Sequence, residues 1–326
     1  MSIILRPFTA ADSEPWDSFV LQSNNGTLFH LRRFLGYHID RNFDDHSLIA
    51  EKKGKILAIF SAVLVNENKR KILRSHPGAT FGGWVYNVLS YVDSTALTEL
   101  LLAYCKSINV DTIFIIPTPQ AYYRFKCETL SYTMQWQGFE IDEKYISSII
   151  DLNQYTDIKD FLHRRKRRYI KTIELNPHIR TEWCHDLNGF YPILLENKER
   201  HGSRPTHSQA ELTKLYKLMP ERFHLFMMYY NNTPIGGTLN FIGNSRVGII
   251  FYNMVNYEFK HLHPATYQIY KTIEWGKKQG LDYLDFGVSQ LPKAPDPLTP
   301  SPDLIRFKEQ FSASGMTRVV LKKDIQ

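Results

Sequence analysis

The stretch PATYQIYKTIEWGKKQGLDYLDFG, residues 264–287, decides the fold. Pro264 suits the first turn of a helix, where its missing N–H costs nothing, and Gly280 suits the end of one. Apolar residues recur between them at helical spacing, and LDYLDFG then reads as a short strand. Working backward, FHLFMMYYNNTPIGGTLNFI (223–242) reads as a hairpin with a polar turn, and SRVGIIFYNMVN (245–256) as a further strand. Hairpin, strand, helix and strand together give a mixed sheet with a crossover helix.

The same order stands earlier in the chain. SLIAEKKGKILAIFSAVLV (47–65) is a hairpin, and a strand-like segment follows at about 81–89, entered through Pro77-Gly78 and Gly82-Gly83. STALTELLLAYCKSI (94–108) is a helix with Ser94 as its expected N-cap, and VDTIFIIP (110–117) is a buried strand stopped by proline. Residues 12–22 and 31–38 read as helices separated by a Ser-Asn-Asn-Gly break. Ile56 aligns with Ile235 at an offset of 179, and Val110 with Leu281 at 171. Two similar offsets point to a duplicated domain, with chance similarity of pattern as the alternative. The join falls near 146–158, which divides the chain into domains at 1–150 and 151–326. The fold class expected is α/β (α+β), each copy a mixed, mainly antiparallel sheet flanked by helices.

At 326 residues, with 43% apolar and 22% charged, the chain has ample material for two cores. Its net charge of +7 permits an anionic partner. Cys105, Cys127 and Cys184 are odd in number and far apart, so they form no disulfide framework and suit a reducing compartment. No run approaches the roughly 20 apolar residues of a membrane span, and the N-terminus has no signal-peptide run. A cytoplasmic protein without a transmembrane segment is expected.

Several stretches in order carry a family resemblance: FLHRRKRRYIKTI (161–173), Phe190-Tyr191 followed by ENKERHGSRP (196–205), TPIGGTLNF (233–241), GLDYLDFG (280–287) and IRFKEQFSASG (305–315). Together they resemble the FemAB-like branch of the GNAT superfamily, in which two acetyltransferase-like domains are fused. The resemblance implies transfer of an acyl group to an amine. The donor would be acetyl-CoA or another acyl-CoA, or an aminoacyl-tRNA in the FemAB branch proper, where the acceptor is a peptidoglycan precursor. One departure stands out. GNAT enzymes usually hold the CoA pyrophosphate on a glycine-rich loop, and the matching segment here, YEFKHLHPATYQ (257–268), has no glycine. His263 and Ala265, either side of Pro264, would still present backbone groups to a phosphate.

Acyl transfer needs a proton acceptor, a group that polarises the carbonyl and a proton donor for the leaving group. Asp285, at the end of the DYLDFG strand, can orient or deprotonate an amine, or simply cap the turn. Tyr252 can protonate a leaving group, or be a packed ring. Lys308 lies between Phe307 and Phe311, which share a helix face; the rings would pin the returning tail and present the ammonium to the cleft, with a surface lysine as the plain alternative. Arg306 is a weaker version of the same expectation.

Six Lys or Arg fall between 164 and 171. Ile158, Phe161, Leu162, Tyr169 and Ile173 form the expected apolar side, toward which Arg165 points as an anion ligand. Arg164, Arg168 and Lys171 form an outward stripe suited to tRNA, a nucleotide diphosphate or anionic lipid headgroups, or to water alone. The resemblance places acceptor contacts at Arg200 and Arg204, around a Gly turn, and at His30 and Tyr37. No metal site is expected, because His261-x-His263 and Cys184-His185 lack a third ligand at matching spacing. The acceptor stays open among a peptidoglycan stem peptide, an amino sugar and a small amine. A degenerate, non-catalytic binder of anionic ligands is the remaining alternative.

Overall fold

The computed structural model describes residues 2–325, and the chain forms two compact units, 1–144 with 317–326 and 145–316. In the first, β1 (Ile4–Pro7), α1 (Ser13–Gln22) and α2 (Arg32–Leu35) precede β2 (Asp44–Asp45), β3 (Leu48–Lys52), β4 (Lys55–Glu67), β5 (Arg70–Ser75) and β6 (Gly83–Tyr86). Then come α3 (Tyr91–Ser107), β7 (Thr112–Ile115), α4 (Thr129–Trp136) and β8 (Glu140–Asp151), which carries the chain into the second unit. The sheet runs β1-β3-β4-β5-β7, antiparallel except for β5 and β7, which pair in parallel across the α3 crossover. Leu97, Leu101 and Cys105 of α3 pack on Phe60, Leu73 and Ile113 of the sheet.

Two sequence expectations change here. The third strand of this copy is β5, whereas Gly83–Tyr86 pairs back onto β4. The sequence of β5, RKILRS, has only two apolar residues between charges and lacks the usual strand signature. The N-cap of α3 is Ser90, whose hydroxyl accepts from the Asp93 N–H at 3.1 Å; Ser94 lies buried inside the helix.

In the second unit, α5 (Arg164–Glu174), β9 (Ile179–Cys184), α6 (Tyr191–Arg200) and α7 (Gln209–Leu218) precede β10 (Phe223–Tyr230), β11 (Thr233–Ile242) and β12 (Val247–Val255). The chain continues through α8 (Pro264–Lys278), β13 (Tyr283–Val288), α9 (Pro302–Glu309) and β14 (Ala313–Asp324). The sheet runs β8-β13-β12-β11-β10-β9, with β12 and β13 parallel and the remaining pairs antiparallel. Thus β10-β11-β12-α8-β13 repeats β3-β4-β5-α3-β7 in order and strand sense.

Helix α8 follows from its ends and its apolar face. Pro264 sits at its start, Gly280 takes φ +69 just past its C-cap, and Ile269 and Ile273 are fully buried against the sheet. Gly248 lets α8 come close: an added Cβ there would meet Leu281, Leu284 and Trp275 at 2.9–3.0 Å. The end of β14 belongs to the first unit, where Leu321–Asp324 pair with Ile115–Thr112 of β7. The second unit therefore stops at Met316, short of the C-terminus expected for a second domain.

Candidate active site

The site is built from two strands that part. β12 pairs with β11 from Gly248 to Val255, but with β13 only at Val247, Ile249 and the residue between them. From residue 250 onward, one edge of β12 has no strand paired to it among the described residues. Each strand carries an irregularity where they separate. In β12, Leu239 faces Tyr252 while Asn240 faces Ile250, so Phe251 is an extra residue, stacked on Phe241 at 4.4 Å. A bulge of this kind bends a strand and increases its twist. In β13, pairing with β8 holds through Asp285↔Ile149, breaks, and resumes at Val288↔Ser147, with Gly287 at φ +70. That φ is left-handed, and glycine adopts it without strain.

Four buried polar side chains hold the parted ends. Asn197 of α6 donates to the Val255 carbonyl at 2.6 Å and accepts from the Val255 N–H at 3.3 Å. Gln268 of α8 donates to the Met254 carbonyl at 3.1 Å. On the other side, Asp285 Oδ1 accepts from Ser147 Oγ at 2.9 Å and from the Gly287 N–H at 2.7 Å. Lys308 of α9 donates to the carbonyls of Phe286, Gly287 and Val288 at 3.0, 2.7 and 3.2 Å. Lys308 is 4% exposed, and burial lowers its pKa to about 8, with the Asp285 carboxylate opposing that shift.

These contacts revise three expectations. Asp285 is a buried structural acceptor that fixes the bulge, not a base open to an amine. Lys308 does not face a cleft; three carbonyls take its donors, so it locks the end of β13. Phe307 and Phe311 do pack together, at 5.3 Å, and Phe311 is fully buried in the core of this unit. Arg306 is exposed, 3.9 Å from Asp303 on the same helix.

Tyr252 lies on the part of β12 beyond its pairing with β13, and its hydroxyl meets His207 Nδ1 at 3.1 Å. Burial raises the phenol pKa to about 12. Lys198 Nζ lies 5.6 Å from the centre of the Tyr252 ring, and burial lowers the lysine's pKa.

At the start of α8, His263 takes a left-handed φ of +56 and its ring stacks on Tyr169 at 3.6 Å. Burial lowers its pKa, with Lys166 and Arg165 contributing. Ala265 is the first residue after Pro264 with an N–H to present. Arg165, expected to point inward, is exposed, and the buried cation is Lys166. The reason is helical phase. Phe161 closes a separate 3-10 turn, so α5 starts only at Arg164, and Ile170 and Ile173 then set Lys166 on the inner face. Lys166 Nζ donates to Thr266 Oγ1 at 3.3 Å and lies 4.8 and 5.4 Å from the Phe307 and Phe311 ring centres. Among the described residues no carboxylate pairs with it, and burial lowers its pKa to about 8. Arg164, Arg168 and Lys171 form the exposed side of α5.

Arg200 ends α6 rather than standing in a loop; it pairs with Glu196 at 3.3 Å and covers the Tyr257 ring at 4.1 Å. Arg204 is exposed in the following loop. His30 is fully buried in the first unit, bonded to Thr27 Oγ1 at 2.9 Å, its pKa lowered by burial to about 4. Tyr37 is buried against Phe34. Neither surface is open to an acceptor, so both are core residues. Among the described residues no group of three His, Cys, Asp or Glu could hold a metal, and no helix is long and apolar enough to cross a membrane.

The arrangement suits a phosphate-bearing donor. An ammonium without an anion lies beside a helix N-terminus, where peptide dipoles favour negative charge. Two buried amide oxygens near the open edge, Asn253 Oδ1 and Gln268 Oε1, have no donor among the described residues. Lys166, Asn197 and Gln268 lie in stretches that the sequence singled out, but no pattern there pointed to these residues, and His207 lies outside them. Only a phase count begun at the true start of α5 would have singled out Lys166.

Residues 162–293 match the family described as Acetyltransferase (GNAT) domain. Among solved structures, the chain is similar to FemX, with a TM-score of 0.72 and 14% identity over 98% of this chain and 97% of that one. It is also similar to the C-terminal domain of a putative lysylphosphatidylglycerol synthetase from Agrobacterium fabrum, with a TM-score of 0.61 and 10% identity over 97% and 92%. A tandem GNAT protein from the clavulanic acid biosynthesis pathway gives 0.54 and 9% over 100% and 99%. No curated protein matches the sequence. At these identities the likeness is one of fold: mixed, mostly antiparallel GNAT-like sheets flanked by helices.

Proposed function

We propose that this chain, whose residues 162–293 match the GNAT acetyltransferase domain family, is an N-acyltransferase that moves an acyl group from an acyl-CoA to an amine. The observation that carries the reading is the parting of β12 and β13 after Ile249 and Asp285. It leaves one edge of β12 with no partner strand among the described residues, beside the N-terminus of α8, with Asn197 holding that edge only at its far end, Val255. Such an edge can take an extended amide-bearing donor as a further strand would pair, and its N–H groups can polarise the acyl carbonyl. Lys166, Thr266 and the Ala265 N–H would hold the donor's phosphate, in place of a glycine-rich loop.

The chemistry is direct attack. The neutral amine forms the new C–N bond and loses a proton to water, the C–S bond breaks, and Tyr252 protonates the departing thiolate. A phenol whose pKa is held near 12 keeps its proton at neutral pH and is in the right form to give it. His207, on the same hydroxyl, returns the proton. Asp285, Lys308 and Asn197 act as positioning residues that keep the two strand ends apart. The acceptor we favour is an amine of a cell-wall precursor or a small molecule, met in the cytoplasm.

Incubation with acetyl-CoA and a panel of amines (amino acids, glucosamine, a peptidoglycan stem peptide) tests this through release of free thiol. Amine-dependent thiol release is expected. Its absence with every amine, together with no binding of CoA, would overturn the donor assignment. A second reading keeps the fold and takes aminoacyl-tRNA as donor. The exposed stripe of Arg164, Arg168 and Lys171, beside a loop without glycine, favours it. It requires a thermal shift on adding tRNA that disappears at high salt. The same stripe can face anionic lipid headgroups.

A further inference from the structure

Strand β9 ends the sheet of the second unit. β10 pairs with one of its edges, and among the described residues no strand pairs with the other. The ladder decides which backbone groups that edge presents. The register of β9 on β10 sets Ile179 against Tyr230, and one step further the Asn231 N–H donates to the His178 carbonyl at 3.0 Å. Residues of an antiparallel strand turn their backbone groups alternately to its two sides. Arg180, Glu182 and Cys184 therefore face β10 as His178 does, and Ile179, Thr181 and Trp183 turn theirs outward. The Ile179 N–H is taken by the Asn176 carbonyl at 3.1 Å, which closes the turn that enters the strand. What the edge offers is the Ile179 carbonyl and both backbone groups of Thr181 and Trp183.

The side chains make this edge complementary to itself. Residues opposite one another in an antiparallel pair share a face. A second copy laid along β9 about a two-fold axis at Thr181 sets Thr181 against Thr181, Ile179 against Trp183 and Arg180 against Glu182. On one face, Trp183 is 41% exposed although its ring reaches Phe226 at 5.2 Å, and Ile179 of the second copy would cover it. On the other face, Arg180 and Glu182 pair at 2.8 Å within the strand, and the Arg180 guanidinium lies 4.0 Å from the Tyr229 ring centre. Both charged side chains keep much of their surface in water, 51% and 41%. Doubling the strand puts these charges at the corners of a square. Each arginine then has a glutamate along its own strand and another across the axis, and like charges fall on the diagonals. Charge also selects the register, because an axis at residue 180 opposes two arginines and one at 182 opposes two glutamates.

We propose that β9 is a homodimer interface, at which two copies of this chain join edge to edge about a two-fold axis at Thr181 and continue one sheet into the other. The backbone bonds run from each Thr181 N–H to the opposite Thr181 carbonyl, and from each Trp183 N–H to the opposite Ile179 carbonyl. Such an interface is isologous and closes on itself, so it stops at two copies. One short strand buries little area, and the dissociation constant expected is roughly 1–100 μM. The open edge of β12 takes no part, and the inference does not depend on acyl transfer.

Sedimentation equilibrium on the full chain, from about 1 to about 200 μM, tests it and should show a reversible monomer–dimer equilibrium. Arg180→Glu and Glu182→Arg, each alone, oppose like charges across the axis and should weaken association about tenfold. Mixed in equal amounts, the two variants oppose unlike charges again and should recover it. Thr181→Pro removes an outward N–H that the fold of one copy does not use, so it should keep the circular dichroism of the wild type and lose the dimer. Lys126→Glu, at an exposed position of the first unit, should change nothing. If Thr181→Pro does not fold, the two charge variants decide, since they alter side chains that stand largely in water. A chain that stays monomeric throughout, a dimer as tight in Thr181→Pro and in both charge variants as in the wild type, or a mixture no tighter than either variant alone would overturn the proposal.

Discussion

Replacing Lys308 by methionine separates a lysine that holds a strand end from one that touches substrate. The side chain is 4% exposed and its ammonium serves three carbonyls of β13. Each buried acceptor left without a donor costs about 1–3 kcal/mol. Against this, burying the charge is itself unfavourable. Its pKa falls from 10.5 to about 8, which corresponds to about 3 kcal/mol recovered when the charge is removed. The net loss comes to about 2–4 kcal/mol, since methionine also fills much of the space. For a unit of this size that lowers the midpoint of thermal unfolding by roughly 5–12 °C. Circular dichroism at neutral pH reads the midpoint, and thiol release from acetyl-CoA reads turnover on the same sample. Arg306→Met, at the exposed neighbour, should stay within about 0.5 kcal/mol of wild type. A Lys308→Met protein with an unchanged midpoint and a hundredfold loss of turnover would refute the reasoning, because the ammonium would then be acting on the reaction.

Three further outcomes are expected. Lys166 has its pKa lowered to about 8, against 10.5 for an ordinary lysine, with Arg165 and His263 as charged or titratable neighbours. A folded value below the unfolded one means that the buried charge costs stability at low pH; that cost fades from about pH 8 and is gone above 10.5, while anion affinity falls as pH rises through about 8. Calorimetric titration with CoA should therefore weaken roughly tenfold from pH 7 to 9, and Lys166→Arg should flatten the profile. Tyr252→Phe should lower kcat about a hundredfold with little change in KM and a stability loss near 1 kcal/mol from the His207 bond; unchanged kcat would remove the phenol from the chemistry. Gly237→Ala should destabilise by about 1–3 kcal/mol in urea unfolding, because a Cβ there would lie 2.6 Å from Met227 Sδ and 2.7 Å from the Phe190 ring.

The fold was legible where one residue type decides a local conformation. Pro264 and Gly280 bound α8, and the run LDYLDFG gave β13. β5 was hidden because its partners, not its composition, make it a strand: Ile72 and Leu73 are the only apolar residues among charges. The segment around Arg200 read as a loop, yet Pro192 at the first turn and Ile193, Leu194 and Asn197 on the buried side make it helix α6. The site was harder still. Asp285 and Tyr252 could be named from the sequence because each sits on a strand whose run is legible, β13 and β12. The parting itself depends on the register of Leu239 and Asn240 against β12, which a single sequence does not state. Arg165 and Lys166 are adjacent in sequence, and a shift of one residue in helix start exchanged the buried cation for the exposed one.

The edge of β12 from Ile250 to Val255 is the feature on which the transferase reading stands. Hydrogen–deuterium exchange followed by mass spectrometry, with and without acetyl-CoA, interrogates those amides directly. The account predicts that donor slows exchange in the peptide spanning 250–255 and in the first turn of α8, and that Lys166→Met abolishes both effects. Saturating donor that leaves 250–255 exchanging as in the free protein, or protects only other segments, would contradict it.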